Sequence, residues 1–257
     1  MTLFYALSGL AVGFIVGLTG VGGGSLMTPL LVLMVGIHPA IAVGTDLLYA
    51  AFTKTVGAVV HARNNAVNWR VVGLLGLGSV PASLLTIRTL QALAVDTSRL
   101  ESVITTSLGI ALILTATALL FVDRIRLRAQ ANATSAWRER WIDPVTVGIG
   151  ALLGVLVTVS SVGAGALGVV ALLFLYPRQS TLRVVGTDIA HAVPLTFVAG
   201  FGHAAIGNVD WTLLGSLLIG SIPGIWIGSQ LASRAPERLL RSLLATVLML
   251  IGGKLVI

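Results

Sequence analysis

Apolar stretches follow one another along this chain with little between them that could form a soluble surface. Ten are evident, at 3–19, 25–37, 40–60, 70–90, 101–122, 145–160, 163–176, 183–205, 211–232 and 238–257. A helix needs about 20 mostly apolar residues to cross the hydrocarbon core of a bilayer. In lipid every backbone N–H and C=O must be satisfied within the protein, which restricts the choice to helices and closed barrels. The period-two alternation of a membrane barrel is absent. Of 257 residues, 16 are basic and 9 acidic, so 10% are charged, against about a quarter in soluble domains. A soluble globular fold and a disordered chain are both excluded. The expected fold is an all-α integral membrane protein of about 8–10 membrane segments. Stretches 25–37 and 163–176 are too short to cross comfortably, and are expected as half-helices or re-entrant pieces. The first stretch lacks a basic flank and a small-residue cleavage site, so it does not read as a signal peptide.

The chain also repeats itself. Gly44-Thr45-Asp46 recurs as Gly186-Thr187-Asp188, 142 residues on. His61-Ala62, Val67-Asn68-Trp69 and Gly78-Ser79-Val80-Pro81 recur at the same offset as His203-Ala204, Val209-Asp210-Trp211 and Gly220-Ser221-Ile222-Pro223. Residues 43–82 and 185–224 share 15 identities in 40 positions, many of them Gly, His, Trp, Pro or Asp, so shared apolar composition does not explain them. The division is a first transmembrane repeat (1–122), a linker (123–143) with 8 charged residues, and a second repeat (144–257). Five segments per half, an odd number, invert the second copy relative to the first. Alternating loops then collect 12 basic residues on one side and 3 on the other, with Lys54 inside a segment. The basic-rich side is cytoplasmic by the positive-inside rule. The linker is therefore expected in the cytoplasm of a multi-pass inner-membrane protein with both termini outside. Inverted repeats of this kind recur in secondary transporters. The net charge of +7 is scattered between apolar runs and reads as topology rather than nucleic-acid binding.

Few residues in such a chain can carry chemistry. Gly22, Gly23 and Gly24 precede one short segment, and Gly163 and Gly165 lie at the start of the other. Glycine lets backbone approach a ligand, and the free N–H groups at a helix start favour anions; tight helix packing through small residues is the plainer reading. Asp46 and Asp188 are costly inside the membrane and functional by default, as proton carriers or gates, unless Thr45, Thr187 or the aspartates themselves cap helices. Lys54 shares a helix face with Asp46 but lies about 12 Å along the axis. It can reach Asp188 from the other half, or snorkel to the interface. His191 sits one turn beyond Asp188, and His61 and His203 end their segments; imidazoles relay protons or bond to backbone. Asn68 and Asp210 read as N-caps, with Trp69 and Trp211 in the interfacial belt. The chain has no Cys, four dispersed His and no nucleotide loop or nucleophile elbow. No metal or other cofactor is expected, and no enzyme.

The stretches Gly17-Leu18-Thr19-Gly20-Val21-Gly22-Gly23-Gly24-Ser25-Leu26-Met27-Thr28-Pro29, Ala42-Val43-Gly44-Thr45-Asp46 and His61-Ala62-Arg63-Asn64-Asn65-Ala66-Val67-Asn68-Trp69, with their echoes in the second half, resemble the TauE/SafE family of sulfite exporters. The likeness covers nearly the whole chain, departing at Ala164 where the pattern has Gly. It implies export of a small anion such as sulfite or an organosulfonate. Lys54, Thr45, Thr187 and the two glycine loops are then the candidate substrate contacts. Asp46, Asp188, His191, His61 and His203 are the candidate proton and gating groups. A passive anion channel stays open as an alternative, as does an embedded enzyme using Asp46, His61, Asp188 and His191 as acid and base. A homodimer is one assembly the sequence leaves open. Because the chain has no cysteine, the topology has a direct test. Asn132→Cys should react with a membrane-impermeant maleimide only after the cytoplasmic side is exposed; labelling in intact cells would overturn it.

Overall fold

A computed structural model of the chain describes residues 2–19, 24–93, 97–131, 136–163, 165–232 and 237–256. Among the described residues it is all helix, in ten elements: α1 (Thr2–Thr19), α2 (Gly24–Leu33), α3 (Pro39–Arg63), α4 (Trp69–Leu93), α5 (Thr97–Ala131), α6 (Ala136–Ser160), α7 (Ala166–Leu175), α8 (Thr181–Ala205), α9 (Trp211–Ala232) and α10 (Glu237–Val256). The starts follow local chemistry. Pro39 opens α3, where its missing N–H costs nothing. Ser180 caps α8 by accepting from the Arg183 N–H. The Asp210 carboxylate accepts from the N–H groups of Thr212 and Leu213, both at 2.9 Å, at the start of α9, and the Asn68 carbonyl oxygen accepts from Val71 at the start of α4. Trp69 and Trp211 stand exposed immediately after these caps.

Helices α2 and α7 have 10 residues each, about 15 Å of rise, or half a hydrocarbon core. Among the described residues, five helical stretches are long and apolar enough to cross a membrane: Trp69–Leu93, Ser98–Ala131, Arg140–Ser160, Thr181–Ala205 and Trp211–Gly228. Helix α3 has the same 25-residue length as α4 and α8 but carries Asp46, Lys54 and Arg63. The charged stretch read as a linker is largely helical. Its first part extends α5 to Ala131 and its last part opens α6 at Ala136. Leucines, isoleucines and Trp226 stand exposed around the outside, as a lipid-facing surface requires.

The two sequence halves interleave. Helix α1 packs along α9, and α4 along α6. Both seams are glycine seams. A Cβ on Gly9 or Gly13 would meet the backbone of Leu217 or Ser221, and one on Gly220 or Gly224 the backbone of Ala6 or Leu10. In the other seam, Gly150 and Gly154 lie on the backbone of Leu75 and Ser79, and Gly78 on that of Val147. The contacts of Gly9, Gly13 and Gly220 have counterparts 141 or 142 residues along in those of Gly150, Gly154 and Gly78, whereas Gly224 corresponds to Ala82. Two surface contacts join neighbouring helices: Arg70 of α4 pairs with Asp143 of α6 at 2.7 Å, and His38, just before α3, lies 3.6 Å from Glu101 of α5.

The seam predicts a contrast on a single helix. Gly220→Ala puts a methyl into the Ala6 carbonyl, whereas Gly215 has nothing within 4 Å of the same added atom. Gly220→Ala should destabilise by about 1–3 kcal/mol, and Gly215→Ala should be neutral or mildly stabilising through helix propensity. Thermal unfolding of the detergent-solubilised variants reads the difference.

Candidate functional site

Helices α3 and α8 cross the interior antiparallel and carry the repeated Gly-Thr-Asp motifs. Gly57 touches Ile189 at 3.5 Å, the rings of Phe52 and Phe197 meet edge-on at 5.6 Å, and Gly200 lies against Leu48. Each residue of the motif has a separate task. Gly44 leaves room for the Asn208 carbonyl, and Gly186 for that of Ala66. The hydroxyl of Thr45 accepts from the Asp210 N–H at 3.1 Å, and that of Thr187 from the Asn68 N–H at 2.9 Å. The glycine and threonine of each motif thus clamp the turn of the opposite half. The aspartate is left pointing inward.

Asp46 and Asp188 are both fully buried. Neither is a cap, since α3 begins at Pro39 and α8 at Thr181, about two turns earlier. Their surroundings differ. Thr28 of α2 donates a short hydrogen bond to Oδ2 of Asp46, and Ser161 lies close to the same carboxylate. Ser161 has a φ of +58°, a left-handed conformation costing a non-glycine residue about 1–2 kcal/mol. The matching position in the first half is Gly20. Asp188 has no hydrogen-bond partner for either oxygen among the described residues. The second half has Val169 in place of Thr28, and Asp188 instead packs into the space left by Gly168. Lys54 of α3 is buried as well.

His191 is buried one turn from Asp188, its Nε2 2.9 Å from the Ser79 hydroxyl of α4. The repeat relates His191 to Tyr49 and Ser79 to Ser221, and Tyr49 is buried beside Ser221. Each half therefore places a serine beside an aromatic ring of the other, an imidazole at Ser79 and a phenol at Ser221. His203 is fully buried and its Nε2 lies 2.9 Å from the Thr158 carbonyl, a backbone bond. His61, half-buried, packs its Cβ against Gly186.

The short helices bring their N-terminal ends to the same region. Leu26 of α2 packs with Val162 and with Ala166 of α7. Gly24 is the first residue of α2, and Gly22 and Gly23 lie outside the described residues. Gly163 and Gly165 have φ of +121° and +140°, conformations that favour glycine, and Gly165 caps α7 without a side-chain hydrogen bond. The first N–H groups of a helix have no intrahelical partner and carry the positive end of its dipole. Near these ends, Thr28 of α2 and Ser161, which lies shortly before α7, both approach Asp46. Reasoning from sequence alone missed Thr28, Tyr49, Ser79, Ser161 and Gly168. Only Tyr49 and Ser79 left a trace there, as repeat counterparts of His191 and Ser221.

A family model described as sulfite exporter TauE/SafE matches residues 5–255. The chain is 39% identical over 262 residues to the "Probable membrane transporter protein YjnA" of Bacillus subtilis (strain 168), spanning 100% of both chains. It is 30% identical over 239 residues to a "Probable membrane transporter protein" of Xylella fastidiosa (strain 9a5c), covering 88% of this chain and 83% of that one. A third relative, the "Probable membrane transporter protein YdhB" of Bacillus subtilis (strain 168), is 26% identical over 233 residues, 90% of each chain. No solved structure matches. The chain, a multi-pass helical membrane protein, belongs to the TauE/SafE sulfite exporter family.

Proposed function

We propose that this chain is a secondary transporter of the inner membrane. It exports a small sulfur-containing anion, such as sulfite or an organosulfonate, by alternating access between two inverted repeats, with both termini outside. The observation that carries this reading is Lys54, a cation buried where the two repeat helices cross, flanked by one carboxylate from each half. A cation there has a use for an anion that a packing residue does not. The glycine-preceded starts of α2 and α7 supply further anion-favouring groups, through Gly22–Gly24 and Gly163–Gly165. Asp46, Asp188 and His191 act as proton-sensitive gates around that site. The hydroxyls of Thr45 and Thr187, already engaged on backbone N–H groups, hold the two halves in register. The duplicated seams support alternating access, because α1–α9 and α4–α6 are interchangeable contacts. The surface contacts Arg70–Asp143 and His38–Glu101 support the proposed sidedness, since each joins positions assigned to one face. Exit of an anion is favoured by a negative-inside potential at about 2.3 kcal/mol per charge per 100 mV.

Proteoliposomes loaded with sulfite or an organosulfonate test the reading. Efflux should saturate, and one anion should drive uphill accumulation of another across the same membrane. A flux that never exceeds equilibration would make the protein a channel. Lys54→Gln should lower flux about tenfold or more, the loss expected when a charge-assisted contact worth about 1.5–3 kcal/mol is removed. Wild-type flux in that variant would remove Lys54 from the site.

A further inference from the structure

Asp46 and Asp188 are equivalent in sequence and unequal in structure. Asp46 holds a hydroxyl from Thr28 and has Ser161 close by. At Asp188 the hydroxyl is replaced by Val169 and the neighbouring side chain by Gly168, so its carboxylate sits against bare backbone. Neither of its oxygens accepts a hydrogen bond from the described residues. The α3–α8 contacts Gly57–Ile189, Phe52–Phe197 and Leu48–Gly200 set Lys54 level with Val193 and Pro194. Lys54 then lies about 8 Å along the axis from Asp188 and about 12 Å from Asp46. Asp188 is therefore the nearer of the two along the axis.

This arrangement bears on any anion that comes to Lys54. With all three groups ionised, the buried set carries one cation and two carboxylates, a net charge of −1 that repels an anion. An anion at the Lys54 ammonium takes the place of Asp188 and leaves that carboxylate buried with neither a counter-ion nor a hydrogen-bond donor, an arrangement the interior does not tolerate. Adding a proton to Asp188 resolves it. Asp46 is less exposed to this exchange because its Thr28 bond does not depend on Lys54.

We infer that Asp188 is the internal counter-ion of Lys54, displaced by the transported anion and protonated as it leaves. The inference rests on the anion-transport reading above. The step balances: Asp188 carboxylate, one solvent proton and one anion become Asp188 carboxylic acid and an anion paired with the Lys54 ammonium. No bond other than O–H forms, and each bound anion takes up one proton. The titratable groups nearest Asp188 are Lys54 and His61 on α3 and His191 one turn on along α8, whereas Asp46 lies about 20 Å away along α3. Helix α4 brings Ser79, bonded to His191, and α7 brings Gly168 among apolar residues. Arg70 of α4 and Asp143 of α6 pair with each other in an exposed position. Of these, only Asp188 combines full burial, proximity to Lys54 and two unbonded oxygens.

The test uses anions whose own charge does not change with pH: methanesulfonate, thiosulfate and sulfate. Binding to the purified full-length protein in detergent is followed by calorimetry from pH 5.5 to 8.5. Affinity should strengthen as pH falls, by up to about tenfold per pH unit, because binding is linked to one proton. In weakly buffered solution the wild-type protein should take up about one proton per anion bound, a measurement that needs no variant. Asp188→Asn should bind the anion with the same affinity across the range, and Asp46→Asn should retain the pH slope. Lys54→Gln should bind none of the anions at any pH. If the wild type binds without proton uptake, or Asp188→Asn keeps the slope, the counter-ion exchange is overturned while anion transport stands. If the wild type binds none of the three anions, the anion reading fails and this proposal fails with it.

Discussion

The clamp between each Gly-Thr-Asp motif and the turn of the opposite half is the contact on which the interior depends. A membrane protein gains little from burying apolar side chains against one another, because lipid is as apolar as leucine. What fixes α3 against α8 is therefore close backbone approach plus a directed hydrogen bond. Gly44 and Gly186 give the approach, and Thr45 and Thr187 give the bond. With those two residues spent on structure, the third is held at a fixed depth and heading, and the aspartates become parts of a site.

The second constraint is the cost of ionised groups away from water. Lys54, Asp46 and Asp188 all lie in the interior, where an isolated charge is far more expensive than a neutral or paired one. Their tolerance depends on one another and on a few hydroxyls. The two halves have solved this differently. The first gives its aspartate a threonine donor, while the second sets its aspartate against a glycine, with no hydrogen-bond donor among the described residues. The serine–aromatic pairs repeat the theme, with His191 in one half and Tyr49 in the other. Duplication set the framework, and divergence of a handful of side chains made the two sides of the centre chemically distinct.

Much of this was legible before any coordinates. Apolar stretches of restricted length announced the helices, and the two that were too short became α2 and α7. Asp46, Asp188, Lys54 and His191 stood out because ionisable residues are rare in such stretches, and all four are buried. Less was legible where the meaning of a residue depends on what lies across an interface. Thr45 and Thr187 looked available to a ligand, yet their hydroxyls face turns of the other half. Thr28 and Ser161 are ordinary residues until folding brings them to Asp46. Gly168 looked like one more small residue of an apolar helix. The charged stretch after residue 122 looked like a break, but its arginines are compatible with helix and it extends α5 and α6.

The interleaved seams also govern how the protein is made. Helix α1 leaves the ribosome well before α9, yet the surface that fills the clearance at Gly9 and Gly13 belongs to α9, about two hundred residues later. Until α9 arrives, that clearance faces lipid. The same holds for α4 until α6 follows it. Insertion of the individual helices must therefore be complete, and correctly sided, well before the tertiary structure can close. A helix inserted the wrong way round would be discovered only at the end of synthesis, when its partner presents a glycine groove to the wrong leaflet.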